Sequence, residues 1–142
     1  MSESPMSEQP PRGGIYEALG IEFLEFGGGA CAVGIEITSD HTNKGGVAHG
    51  AISTAMLDTA LGGALVSTLR KEEWCATAQL SVSFIDAGRV GERLTARGRV
   101  VRRGRGVAHL AGEVVGEGGR TISTATGTWA IFATKPSKFN DD

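Results

Sequence analysis

Between Asn43 and Asp58 the chain concentrates the groups that could act on a carbonyl. Asn43-Lys44-Gly45-Gly46-Val47-Ala48-His49-Gly50 is a Gly-rich polar turn with an Asn and a His, and it ends where an apolar run begins. That run, Ala51 to Leu69, is made of apolar and small residues and holds one charged group, Asp58. A carboxylate buried without a local partner is costly as an ion, so it points to a task. A polar turn leading into the N-terminus of a buried helix offers free backbone N–H groups to negative charge. The N–H of Gly50 or Ala51 can donate to a carbonyl oxygen as attack makes it negative, and Gly50 has no side chain to keep that carbonyl away. Asp58 then attacks directly or deprotonates water. A carboxylate is a weak base, so the acceptor must be activated. A thioester, with poor resonance and a good thiolate leaving group, suits better than an amide.

The spacing makes a further demand. Eight residues of helix put Gly50 and Asp58 about 12 Å apart along the axis and about 80° apart around it. A nucleophile or base must come within about 3–3.5 Å of its target, so the two groups of one helix cannot serve one carbonyl. Two antiparallel copies of the helix across a two-fold axis bring Gly50 of one chain to Asp58 of the other. The spacing therefore predicts a homodimer with shared active sites, symmetric dimers being the commonest oligomers.

Several elements must position these groups. Ile15–Leu19 reads as a short helix. Ile21–Phe26 and Ala30–Thr38 read as two strands around Gly27-Gly28-Gly29, a hairpin signal. Ser39 to His49 is the polar turn, and Ala51–Leu69 is a helix of about five turns, apolar nearly all round and so expected to be buried. Ala76–Ile85 alternates, with Leu80, Val82 and Phe84 on one side and Thr77, Gln79, Ser81 and Ser83 on the other. Leu94–Val101, Val107–Val115 and Arg120–Phe132 complete a meander of about four strands. The fold class is α+β: one long central helix wrapped by a curved antiparallel sheet of five to six strands. One sheet cannot cover such a helix, and a second copy is expected to cover the rest.

Composition narrows the class. The chain has 142 residues, room for one domain, read as 15–133 between disordered tails at 1–14 and 134–142. A formal net charge of −2 argues against nucleic acid as the partner. Gly is abundant, at 22 residues, which suits strands that pass close to another backbone or a ligand. Cys31 and Cys75 lie in no metal-ligand or CxxC spacing and read as strand thiols of a reduced, cytoplasmic protein. Met1 to Arg12 has no apolar core for a signal peptide. Ala51–Leu69 is long enough for a membrane span, but the mid-run acid and the β region behind it argue against one.

With these residues in view, Asn43-x-x-Gly46-x-x-His49-Gly50-x7-Asp58 resembles the signature of hot-dog-fold acyl-CoA thioesterases of the phenylacetate-degradation (PaaI) group. The likeness runs from about Ile15 to Phe132, with Ala76–Gly91 matching the strand after the central helix and Gly98–Trp129 the last strands. The resemblance implies a hot-dog fold, and a homodimer or a homotetramer built as a dimer of dimers. The substrate it implies is an acyl-CoA, with CoA part of that substrate and no separate cofactor or metal. Gly50 would polarise the thioester carbonyl, and Asp58 of the partner would be nucleophile or general base. Asn43 would hold the carbonyl or the attacking water, His49 would brace the turn, and Thr77 would orient water near the carboxylate. Ala51 stands where the family often has Gly, so a methyl lines the pocket with Gly46. The helix holds no Glu, which sets the chain apart from relatives that use Glu from another helix position.

Each group also has a plainer reading. Asp58 could bond helix neighbours, His49 could cap the turn, and Thr77 could be strand filler. His41 and His109 read as exposed or strand residues, and Trp74 and Trp129 as core or interface anchors. Arg97, Arg99, Arg102, Arg103 and Arg105 form a solvated basic face or a site for CoA phosphates. For phosphate, Arg103-Gly104-Arg105-Gly106 is favoured because its glycines let backbone N–H groups approach. Two other functions remain open: a hot-dog hydratase or dehydratase, which wants a His beside an acid, and a non-catalytic acyl-CoA-binding module.

Overall fold

The computed structural model describes residues 13–136, so nearly all of the first tail and most of the second lie outside the described residues. The chain runs as a short helix α1 (Gly14–Leu19), a hairpin of β1 (Glu22–Gly27) and β2 (Ala30–Glu36), and a long helix α2 (Gly50–Val66). Then come β3 (Trp74–Phe84), β4 (Arg93–Arg103), β5 (Val107–Val115) and β6 (Thr121–Phe132). All six strands form one antiparallel sheet in the order β1-β2-β4-β5-β6-β3. The expected four-strand meander is therefore corrected. Only β4, β5 and β6 run in sequence, while β3 leaves α2 at the far side of the sheet and pairs with β6, on the edge.

The sheet curls around α2. The helix buries Ile52, Met56, Leu57, Ala60, Leu61, Ala64 and Leu65 against Val33, Ile35, Leu94, Ala96, Leu110, Val114 and Trp129. Each fully buried large aliphatic side chain stabilises the fold by about 1.5–3 kcal/mol. The abundant glycine has its use here. A Cβ at Gly98 would lie 2.5 Å from the Ala60 carbonyl oxygen, and one at Gly112 would lie 2.6 Å from Leu61 Cδ1. Helix backbone rests directly on sheet backbone. Gly98→Ala, whose methyl meets fixed main chain, is expected to cost about 3 kcal/mol in a denaturant unfolding curve.

Two expectations about the helix change. It ends at Val66 rather than Leu69, because Ser67 and Thr68 turn their hydroxyls onto the Ala64 and Leu65 carbonyls, at 2.7 and 2.8 Å. Nor is it buried all round in a single chain. Ala51 and Asp58 are exposed and Thr54, Ala55, Thr59 and Gly62 half-exposed, a stripe of small residues along one face. Cys31 is buried in β2, and burial pushes its thiol up to about 11.

Two bulges change which way important side chains face. In β3 the register slips between Thr77 and Gln79, so Thr77 turns to the inner face with Leu80, Val82 and Phe84, not to the outer face with Ser81 and Ser83. In β4 it slips between Val100 and Arg102. Arg97, Arg99 and Arg102 stay on the outer face, while Arg103 turns inward beside buried Ala108. A strict period of two cannot anticipate either turn.

Candidate active site

The loop before α2 is held by its own polar groups. Asn43 Oδ1 accepts the Gly45 N–H at 2.9 Å and the Val47 N–H at 3.4 Å, and the Asn43 N–H donates to the Val47 carbonyl at 2.9 Å. The amide oxygen of Asn43 is thus used inside the loop, and its NH2 is left for a ligand. Below it, the Ala48 N–H donates to the Gly88 carbonyl at 2.8 Å. The Gly88 segment is fastened in turn by Glu92, which accepts from the Arg89 and Glu117 N–H groups and from Arg120. The hydrogen bonds from Arg120 hold the Glu92 carboxyl below its ordinary value.

His49 is the N-cap of α2, and its Nδ1 accepts the Ala51 N–H at 2.9 Å. That bond decides which amide is available. Ala51's N–H is taken, whereas Gly50's has no hydrogen-bond partner among the described residues. An exposed concavity lined by Thr42, Asn43, Lys44, Gly45 and His49 opens beside it. A Cβ on Gly50 would stand 3.0 Å from Phe84 Cε1, so the glycine lets the ring lie close against the start of α2. Phe84 is 60 % exposed although it faces inward, and only its place beside Gly50 marks it.

Asp58 is exposed in the single chain, against the expectation of a buried acid. It lies on the helix face that the sheet leaves open. Thr77 Oγ1 donates to its Oδ1 at 2.7 Å, a contact made possible by the β3 bulge. Burial, and then the charge of Asp58, raise the phenol of Tyr16 in α1, which packs edge-on to Phe23. The structure thus joins Asp58 to Thr77 and Gly50 to His49, Asn43 and Gly46. It leaves the two groups apart along one helix.

Two histidine readings also resolve. His109 is exposed on the outer face of β5. His41 is not exposed but 7 % accessible. Its Nδ1 accepts the Thr38 N–H at 2.9 Å, its Nε2 donates to the Leu19 carbonyl at 2.8 Å, and its own carbonyl accepts the His49 N–H at 2.8 Å. His41 therefore ties α1 to the loop that presents Gly50. The loop is otherwise irregular in sequence, and no period marks such a residue.

Arg103 binds both oxygens of Glu73 at 2.7 Å and the Thr68 carbonyl at 3.0 Å, capping the end of α2. Its fork is engaged within the chain, whereas the notion of a phosphate contact there rests on sequence alone. Arg93 and Arg97 pair with Glu22 and Glu25. Arg99, Arg102 and Arg105 have no ion-pair partner among the described residues. Arg103→Ala should therefore cost about 1–3 kcal/mol of stability by taking the guanidinium from half-buried Glu73 and leaving it only the Arg70 N–H. Arg105→Ala should leave the unfolding midpoint in place and instead raise KM for a CoA ester with kcat kept. Thermal melts beside steady-state kinetics separate the two.

A sequence profile described as the thioesterase superfamily matches residues 45–123, from the loop through α2 to β6. The chain belongs to the thioesterase superfamily. A Saccharolobus solfataricus protein, named provisionally as an esterase, is 28% identical over 121 residues, 85% of each chain. Among solved structures, the PaaI protein of the E. coli phenylacetic acid degradation operon superposes with a TM-score of 0.79 at 22% identity, covering 84% of this chain and 85% of that one. A Streptococcus mutans protein whose structure was solved bound to acetyl CoA superposes with a TM-score of 0.75 at 24% identity, covering 82% and 91%. The hot-dog fold implied by the motif is the fold of this superfamily member. Among the described residues no group of three or more His, Cys, Asp or Glu could hold a metal ion. No helix there is long and apolar enough to cross a membrane.

Proposed function

We propose that this thioesterase hydrolyses an acyl-CoA, with an aryl or medium-chain acyl group, to the free acid and CoA. It acts as a cytoplasmic homodimer with shared sites, itself able to pair as a dimer of dimers. One observation carries the reading. The unpaired Gly50 N–H and the exposed Asp58–Thr77 pair are two halves of a carbonyl-attack site, set about 12 Å apart on one helix.

In the shared site the Gly50 N–H donates to the thioester oxygen and stabilises it as it becomes an oxyanion, an effect worth about 2.7–4 kcal/mol. Asp58 of the partner chain removes a proton from water as that water attacks the carbonyl carbon, or attacks it directly. Thr77 donates to one carboxylate oxygen, which leaves the other for water and leaves Thr77's lone pairs to orient it. The tetrahedral intermediate collapses with loss of the CoA thiolate, which takes up the proton; where Asp58 attacks directly, the mixed anhydride left on it is then cleaved by water to the free acid, so water is the only co-reactant. His49 serves by capping the helix and occupying the Ala51 N–H, so that one donor, Gly50's, faces the substrate. The Ala51 methyl lies on the exposed helix stripe beside it.

The arginine turn fits the same arrangement. Arg103 grips Thr68, just past the end of α2, whose last residue Val66 lies about 12 Å along the axis from Asp58 and about 24 Å from Gly50. Arg105, and with it Gly104, therefore stands nearer the Asp58 half, and the CoA nucleotide runs toward the subunit that supplies the acid. The acetyl CoA bound by the Streptococcus mutans protein supports a CoA ester as ligand.

A thiol-release screen over aryl- and alkyl-CoA esters, wild type beside Asp58→Asn, tests the reading. Release by the wild type and its loss in the variant are expected. Tight binding of the esters without release would instead make the protein a binding module.

A further inference from the structure

We infer that His41 is the positioning residue for the Gly50 N–H, acting through the path of the chain that its buried ring fixes. The inference rests on the reading of Gly50 as oxyanion donor above. It brings into the machinery a side chain and a helix that lie before residues 45–123, the part matched by the superfamily profile.

An oxyanion donor is effective because it is held in place before the reaction begins. Around Gly50 the chain is anchored at three residues. The Ala48 N–H donates to the Gly88 carbonyl at 2.8 Å, the His49 N–H to the His41 carbonyl at 2.8 Å, and the Ala51 N–H to His49 Nδ1 at 2.9 Å. The Gly50 N–H itself has no partner among the described residues, so these neighbours alone decide where it points. Of the three anchors, the Gly88 carbonyl sits on the segment fastened by Glu92, and the His49 ring belongs to the helix cap. The third, the His41 carbonyl, closes a turn that needs support of its own.

That turn, Ser39–His41, is one short turn of 3-10 helix. So few hydrogen bonds do not repay the ordering of its backbone. The His41 ring supplies what is missing. Nδ1 accepts the Thr38 N–H at 2.9 Å, and Nε2 donates to the Leu19 carbonyl at 2.8 Å. An amide N–H only donates and a carbonyl only accepts, so both ring nitrogens are committed and one tautomer is fixed. Because His41 is buried, water does not readily replace either partner.

Leu19 is the last residue of α1, and its carbonyl is one of those a helix end leaves without an internal partner. α1 has six residues and is too short to stand alone. Tyr16 docks it edge-on against Phe23, with ring centroids 5.6 Å apart, and His41 clasps its end. A continuous run of hydrogen bonds thus leads from α1 through the imidazole and the His41 carbonyl to His49, the cap beside Gly50.

Full-length His41→Ala and His41→Asn test this. The Asn Oδ1 can stand where Nδ1 stood and accept the Thr38 N–H, but the side chain is too short to hold Leu19. Well below the melting point of each variant, His41→Ala should lower kcat for CoA-ester hydrolysis by about 10–100-fold, less than outright loss of an oxyanion donor. kcat/KM should fall by the same factor, and His41→Asn should recover much of the loss. Amide hydrogen exchange reads the same event without substrate. In His41→Ala the His49 N–H should exchange about tenfold faster, while Ala60 and Leu61 in the middle of α2 keep their protection. A lower melting point with kcat unchanged would make His41 a structural residue only and overturn the inference. Unchanged exchange at His49 would overturn it as well. Should His41→Ala not fold, His41→Asn decides by the same two measurements, with smaller changes in the same direction expected and wild-type values contradicting the inference. If the wild type cleaves no CoA ester, the hydrolase reading fails on its own, and exchange at His49 then decides whether His41 sets the loop.

Discussion

Asp58→Asn is expected to lower kcat for CoA-ester hydrolysis by about 10²–10⁴-fold, the usual worth of a positioned acid–base group, with KM little changed. The amide keeps the shape of the carboxylate, and its oxygen can still accept from Thr77 Oγ1, now 2.7 Å from Asp58 Oδ1. What it loses is the ability to take a proton or attack a carbonyl. Because Asp58 is exposed on an open helix face, the fold of the single chain does not depend on its charge. The unfolding midpoint should therefore stay near that of the wild type. Loss of an interaction made only in the transition state lowers kcat and kcat/KM together, and this is the pattern to look for. A folded variant that kept a tenth or more of wild-type kcat would remove Asp58 from the chemistry.

The fold and the motif were legible in the sequence for a physical reason. The run from Ala51 lacks charges apart from Asp58, and its apolar residues recur at helical spacing, so a buried helix was the consistent reading. The glycine count pointed to close backbone approach, which Gly98 and Gly112 now show beneath α2. What sequence hid were departures from period. The β3 bulge turned Thr77 toward Asp58, and the β4 bulge turned Arg103 away from solvent to Glu73. Each bulge adds one unpaired residue, and nothing in local residue type announces it. His41 was hidden differently: its value lies in bonds to Leu19 and Thr38 made possible by the path of the loop, not by any repeat. Strand order was the third loss, since β3 and β4 are joined by a short link but lie on different parts of the sheet.

The exposure of Asp58 follows from the same cause as the expected dimer. A single sheet covers one side of α2, and the acid stands on the other side. An oxyanion donor at one end of the stripe and an acid two turns along it make sense together only if a second helix lies against the stripe.

The most direct measurement is therefore complementation between two inactive chains. Asp58→Asn lacks the acid, and Gly50→Pro lacks the N–H donor. Proline suits the first position of a helix, and His49 before it, at φ −62° and ψ 141°, already has the extended backbone that proline requires of its predecessor. The added Cβ would meet the Phe84 ring at 3.0 Å, an exposed side chain with room to move, and a melt of Gly50→Pro alone checks that it folds. The two variants are mixed, unfolded and refolded together so that subunits exchange. Each heterodimer then carries one intact site and one doubly defective site. With random pairing, half the dimers are mixed and each has half its sites, so about a quarter of wild-type specific activity should return. If the refolded mixture forms heterodimers and stays as inactive as either parent, Gly50 and Asp58 do not share a site across two chains.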